Sequence, residues 1–266
     1  MMLRGFRAFI FDLDGCIYRG NIPIPGAADT IAHLRKLGKK ILFLTNNATR
    51  TPEQYVEKLK GMKVDADVDD VLTSATATAI FLSKKYGKVS VFPVGGRGLI
   101  QELEKIGHTT VDAHEIEKAE FVVACLDPEF TYEKLDLACQ AIFSGAKLVA
   151  TNIDQTIPVE EGFKPGAGAI VAAISAATGA EPEVVGKPFR HIIKIALERL
   201  GTVASETVFV GDRLDTDIQA GKDVGGFTIL VLSGSTKRET AEKVDNPKQK
   251  PDLILADVSY VQQLLI

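Results

Sequence analysis

Two aspartates one residue apart, Asp12 and Asp14, follow the apolar run Ala8–Phe11 and precede Gly15. Carboxylate oxygens suit a hard cation, attack on an electrophile, or proton transfer. Two neighbouring acids repel one another, which packing does not explain, although a surface turn also favours Asp followed by Gly. Two further apolar runs end in comparable residues. Residues 41–44 stop at Thr45-Asn46-Asn47, and residues 207–210 stop at Gly211-Asp212. Lys187 precedes Pro188 at an expected helix start, where the helix dipole disfavours a cation, so an anion beside it would account for it. In a parallel sheet the carboxyl ends of the strands share one edge, and residues far apart in sequence converge there. Carboxylates, a hydroxyl, an amide and a lysine in one place suit a phosphate held with a divalent cation.

The elements that would position these groups read as alternating buried strands and helices. Residues 22–26 form a stiff, turn-rich connection with no room for regular structure. Residues 27–37 carry apolar side chains at Ala28, Ile31, Ala32 and Leu34, a helical spacing that Gly38 ends. With the runs on either side, this predicts a parallel βαβ unit. Thr51 caps a second helix, with Pro52 at its first position, that runs to about Lys60. A second alternation follows, with strands at 89–92, 121–125 and 147–150 and helices at 99–106 and 135–143. The first style then returns: a helix from Pro188 to Leu200 and strands at 207–210, 227–232 and 253–255. Residues 237–250 read as a polar loop or helix. The expected fold class is α/β, with a Rossmann-like core of residues 1–79 and 184–266 interrupted by an α/β cap of residues 80–183. Gly95-Gly96-Arg97-Gly98 invites a dinucleotide-loop reading, but Gln101 stands where the third glycine belongs, so it reads as a helix start.

At 266 residues and 45% hydrophobic composition, the chain has material for one large domain or two ordinary ones. A formal net charge of -4 leaves no basic footprint for nucleic acid. Cys16, Cys125 and Cys139 are scattered, which suits a reducing interior better than a disulfide framework. The stretch from Met1 to Arg7 leads into an apolar run too short for a signal-peptide core, and residues 166–180 are too short and small-residued to span a bilayer. A cytoplasmic protein without nucleic-acid or membrane partners is expected. His33, His108, His114 and His191 show no metal-ligand spacing.

Four stretches together resemble a known family. Asp12-Leu13-Asp14-Gly15, Thr45-Asn46-Asn47, Gly186-Lys187-Pro188 and 211–217 look like the four motifs of the haloacid dehalogenase (HAD) superfamily. Pro23-Ile24-Pro25-Gly26-Ala27, residues 44–52, Thr73-Ser74-Ala75, Ala150-Thr151-Asn152-x-Asp154 and residues 230–234 resemble its NagD-type, 4-nitrophenylphosphatase-like branch. The likeness covers essentially the whole chain. Cys16 departs from it, standing where the family more often has Thr or Val.

The resemblance implies Mg²⁺-dependent hydrolysis of a small phosphate monoester through an aspartyl-phosphate. Asp12 would be the nucleophile, Asp14 the general acid and base, and Thr45 and Lys187 would hold the phosphoryl group. The Mg²⁺ ligands would be Asp12, the backbone carbonyl of Asp14, and Asp212, with Asp217 as support for waters or Lys187. Leu13, Asn46, Asn47, Asn152 and Asp154 would contact substrate, and substrate choice would lie around residues 152–158. As aligned, the family's pyridoxal-phosphate phosphatases carry histidine at the place of Ile157, which disfavours that substrate. Asp215 reads as a surface residue. The expected partner is a small phosphorylated metabolite, and the chain a monomer or a cap-mediated homo-oligomer. A phosphomutase shares the aspartyl-phosphate, and a receiver-type phospho-acceptor module shares the aspartate, Mg²⁺, hydroxyl and lysine. Asp14 and the cap argue against the receiver.

Overall fold

The computed structural model describes residues 3–158 and 162–265, so Met1 and Met2, part of the N-terminal stretch read above, lie outside the described residues. The chain forms two compact units, one of Met1–Thr45, Pro52–Leu72 and Ile193–Ile266, the other of Asn46–Thr51 and Thr73–Ile192. Both are built on parallel strands, as the α/β reading requires.

In the first unit, Ala8–Phe11 lies inside a six-stranded sheet. It pairs in parallel with Lys40–Thr45 on one side and Thr207–Gly211 on the other. Phe227–Val231 and Leu253–Leu255 extend the sheet beyond Thr207–Gly211, and Val71–Thr73 closes the far edge. All four residues of Ala8–Phe11 are buried, which is why that run shows no polar alternation. Phe9, Phe11 and Phe43 are fully buried among aliphatic side chains from helix Ala27–Lys36 and from Val208, Val210, Ile229 and Val231. Burial at this level stabilises by roughly 1.5–3 kcal/mol per side chain. Phe11 aligns with Phe43 and with Val210, so Asp12, Thr45 and Asp212 all emerge at the carboxyl edge of the same sheet.

The outer strand Leu253–Leu255 is pinned by Asp252. Its Oδ2 accepts from the Thr228 N–H (2.7 Å) and hydroxyl (2.9 Å), and its Oδ1 accepts from Lys222 Nζ at 2.5 Å. Burial pushes this carboxyl up, but Lys222 and Thr228 outweigh it and hold the pKa below the ordinary value. The stabilisation is therefore present above the unfolded carboxylate pKa and lost as pH falls through the lower folded one. Asp252→Asn should cost about 1 kcal/mol at neutral pH, allowing for solvent screening at a partly exposed site. The urea midpoint of the variant should meet that of the wild type in acid.

The second unit holds a five-stranded parallel sheet in the order Glu183–Val184, Lys147–Ala150, Phe121–Ala124, Ser90–Val94, Thr109–Thr110. An antiparallel pair, Thr156–Pro158 with Phe163–Pro165, follows the strand Lys147–Ala150. Helices Tyr132–Phe143 and Ala167–Thr178 supply much of its core, with Ala138, Ala141, Ile170, Val171 and Ile174 buried against Val122, Ala124 and Leu148.

Several elements depart from the sequence expectation. Ile22–Pro23, in the connection read as having no room for regular structure, pairs antiparallel with Tyr18–Arg19 around Gly20 at φ +53°. Helix Ser74–Tyr86 runs unbroken through the expected boundary at 79/80, and the compact units part instead after Leu72 and Ile192. Its first turns, Ser74 to Ala79, alternate Ser or Thr with Ala and are all buried, so they carry no helical amphipathic signal. The helix expected from Pro188 begins at Arg190, and Lys187 and Pro188 lie in the preceding turn. The polar stretch 237–250 contains a short helix, Arg238–Glu242, and a turn, Pro247–Gln249.

Candidate active site

Three carboxylates meet at the carboxyl edge of the first unit's sheet. Asp12 follows Ala8–Phe11 and its N–H donates to the Val210 carbonyl at 2.8 Å, which ties it to the neighbouring strand. Asp212 follows Thr207–Gly211, and Asp217 sits in the five-residue π-helical turn Leu214–Ile218. One oxygen from each lies within 4.8 Å of the others. At that spacing or closer, each pair of charges repels by about 3.5 kcal/mol or more at an effective dielectric constant near 20. Asp212 is 2% exposed and Asp217 6%.

The surrounding backbone is shaped to hold these acids. Asp212 Oδ2 accepts from the Ser235 N–H at 2.5 Å, and Asp217 Oδ2 from the Arg213 N–H at 3.1 Å. A Cβ on Gly234 would lie 2.1 Å from Asp212 Oδ2, and one on Gly15 2.6 Å from the same oxygen. Gly15 also has φ +84°, so both backbone conformation and space demand glycine there. The donor set is all oxygen, from side chains with fixed orientation, and suits a hard divalent cation such as Mg²⁺.

Asp14 is exposed and is not part of the three-carboxylate group. Even so, loss of surrounding water pushes its carboxyl pKa up from the ordinary value, against Lys58, the Gly20 backbone N–H and Arg19, which pull it down. The main cause is desolvation. Lys58 is itself fixed over the Tyr18 ring, 3.6 Å from its centre. Leu13 is fully buried in the core, and its carbonyl accepts from the N–H groups of Cys16, Ile17 and Tyr18. Thr45 is buried at the end of its strand.

The remaining expected residues gather in the second unit. Asn46, 9% exposed, donates from Nδ2 to the Lys187 carbonyl (3.0 Å) and to Asp154 Oδ2 (3.2 Å). Its Oδ1 accepts from the Lys187 N–H at 2.8 Å. Asn152 Nδ2 donates to the same Asp154 oxygen at 2.8 Å. Lys187 is 5% exposed. Asn47, by contrast, is exposed, and its Oδ1 accepts from the N–H and hydroxyl of Thr49 within its own loop. Asp215 is exposed and paired with Arg213 at 2.8 Å. Gly96 caps helix Arg97–Ile106, as the helix-start reading of that glycine cluster expects. The three cysteines are buried and form no disulfide among the described residues, and burial pushes the Cys125 thiol up to about 12. Among the described residues no helix is long and apolar enough to cross a membrane.

What the sequence did not assign was the third member of the carboxylate group. Asp217 was expected as support, yet it stands beside Asp12 and Asp212. The signal lay in the close spacing of 212 and 217, which the π-helical turn Leu214–Ile218 brings together.

Residues 9–109 match the family described as Haloacid dehalogenase-like hydrolase, and residues 184–261 match a HAD-hydrolase-like family. An acid sugar phosphatase of Staphylococcus epidermidis is 41% identical over 245 residues, 92% of this chain and 93% of the relative. The solved 4-nitrophenylphosphatase of Thermotoga maritima superposes with a TM-score of 0.93 at 34% identity, covering 100% of both chains. A p-nitrophenyl phosphatase from Archaeoglobus fulgidus gives 0.90 at 36% identity, covering 97% of this chain and 98% of the other. The chain belongs to the haloacid dehalogenase superfamily, in its NagD-type, 4-nitrophenylphosphatase-like branch, and is a phosphatase acting on phosphate monoesters.

Proposed function

We propose that the chain hydrolyses small phosphate monoesters by two successive displacements at phosphorus, with Asp12 as nucleophile and Mg²⁺ as cofactor. The observation that supports this most is the convergence of Asp12, Asp212 and Asp217 within 4.8 Å beside an Asp14 whose pKa is raised. Asp12, Asp212 and the Asp14 carbonyl, with Asp217 beside them, would hold Mg²⁺, which would supply positive charge against the phosphoryl oxygens. Asp12 attacks phosphorus, the bond to the leaving oxygen breaks, and Asp14 gives that oxygen its proton. Asp14, now a carboxylate, takes a proton from water as the water attacks the aspartyl-phosphate, which releases phosphate and restores Asp12. Thr45 and Lys187 hold the phosphoryl oxygens. A phospho-acceptor switch has no use for an acid aimed at a leaving group, which favours the hydrolase.

The substrates fall among nucleotide, sugar, glycolate and glycerol phosphates, with 4-nitrophenyl phosphate as the assay compound. Acid sugar phosphatase is the name of the Staphylococcus relatives, so a sugar phosphate is the first to test. The segment 80–183 acts as the cap that excludes water. The cytoplasm is the expected setting, as a monomer or a cap-paired homo-oligomer.

The acid role has its own test. Because the raised pKa keeps Asp14 protonated to higher pH, turnover of alkyl phosphates should fall as pH rises through that pKa. Asp14→Asn should lower turnover of an alkyl phosphate about 100-fold or more and flatten this limb, while 4-nitrophenyl phosphate, with its good leaving group, loses far less. Equal losses on both compounds would take Asp14 out of the role.

A further inference from the structure

We propose that Asp154 is a positioning residue for Lys187, acting through Asn46, rather than a contact for the substrate's leaving group; this rests on the reading of Lys187 as a phosphoryl-holding residue. A side-chain carboxamide has two N–H donors. Both of Asn46's are given to protein oxygens, one to the Lys187 carbonyl and one to Asp154 Oδ2, while its Oδ1 takes the Lys187 N–H. The carboxamide therefore clasps the backbone of residue 187 on both sides, much as a neighbouring strand would. A donor to the phosphoryl group would have to leave one of these bonds.

Asp154 sets which way round that clasp sits. An ionised carboxylate only accepts, so Asn46 must turn its NH₂ toward Asp154 and thus its Oδ1 toward the Lys187 N–H. A flipped Asn46 would set oxygen against oxygen at Asp154 and NH₂ against N–H at Lys187. Asn152 Nδ2 converges on the same oxygen at 2.8 Å, and Asn152 Oδ1 accepts from the Thr151 hydroxyl at 3.0 Å. Asp154 is in turn tied down by its carbonyl, which accepts the Gly168 N–H at 2.9 Å. The turn carrying Lys187 is pressed into this network. The Gly186 N–H donates to the Thr151 carbonyl at 2.8 Å, and a Cβ there would lie 2.4 Å from that carbonyl oxygen and 2.7 Å from Asn46 Oδ1. A residue in this place touches what every phosphate monoester shares only through Lys187, so its loss should be felt equally by all substrates.

The experiment measures kcat and KM of wild type, Asp154→Ala, Asp154→Asn, Asn46→Ala and Lys187→Ala with 4-nitrophenyl phosphate, glycerol 3-phosphate and a hexose phosphate, with melting temperatures alongside. Asp154→Ala should lower kcat by about 10–100-fold on all three, the scale of a misplaced group, with KM changed by less than about threefold. Asp154→Asn, which can still offer one oxygen to both amides, should recover most of that loss. Asn46→Ala should match Asp154→Ala, and the double variant should be no worse than either alone. A loss confined to one leaving group, wild-type activity in Asp154→Ala, or no recovery in a folded Asp154→Asn would each overturn the positioning role. Near-normal activity of Lys187→Ala would instead refute the reading of Lys187 on which it rests.

Discussion

Asp12→Asn should lower turnover of 4-nitrophenyl phosphate on the order of 10⁴-fold while the protein stays folded. An amide nitrogen or oxygen is a far weaker nucleophile toward phosphorus than a carboxylate, so the first displacement loses its attacking group. The substitution keeps size and shape. It also keeps the main-chain bond from residue 12 to the Val210 carbonyl, and the apolar run Ala8–Phe11 before it is untouched. The melting temperature and the KM should therefore stay near the wild-type values. Steady-state kinetics check this, and turnover within tenfold of wild type would remove Asp12 as nucleophile.

The second large effect is expected at Asp212. Asp212→Ala removes one of three converging carboxylates and also strands the Ser235 N–H that the wild-type oxygen accepts. Activity should fall at least about 100-fold, with more Mg²⁺ needed for half of the remaining rate. Asp212→Asn separates the two contributions, because its carbonyl oxygen retains the Ser235 bond while the charge is lost. Titration calorimetry with Mg²⁺ alone should show weaker binding in both variants, independently of turnover. Treating the wild type with EDTA should abolish activity and adding Mg²⁺ should restore it. Full activity in EDTA would contradict the hard-cation assignment.

The central strands of the first unit's sheet were legible because they are buried on both faces. Ala8–Phe11 and Leu253–Leu255 stand where the apolar runs placed them, and the polar residues that stop the central runs mark the edge where the carboxylates meet. Elements without a hydrophobic period were not legible. Ser74–Tyr86 opens on alternating Ser, Thr and Ala, all buried, and nothing in that run distinguishes helix from strand. The Tyr18–Arg19 and Ile22–Pro23 pair is too short to show any period at all.

For the site, the motifs located the groups but not their partners. Asp14 was placed beside Asp12 by sequence, yet it is not one of the three carboxylates that converge. Asn46 and Asp154 are separated by 108 positions, and each alone looks like a turn residue or a ligand contact. Only the folded chain shows their side chains spent on one another and on the backbone of Lys187. The same holds for Gly15 and Gly234, whose lack of a side chain is explained by the position of Asp212 Oδ2.

The central claim is that the phosphoryl group passes through Asp12 before it reaches water. The stereochemical course at phosphorus tests it most directly, using a phosphate monoester made chiral with oxygen isotopes and hydrolysed in isotopically labelled water. Each in-line displacement inverts the phosphorus centre. Two displacements, first by Asp12 and then by water, predict net retention of configuration, whether or not the intermediate accumulates. Net inversion would mean that water attacks the ester directly, and the covalent account would be wrong.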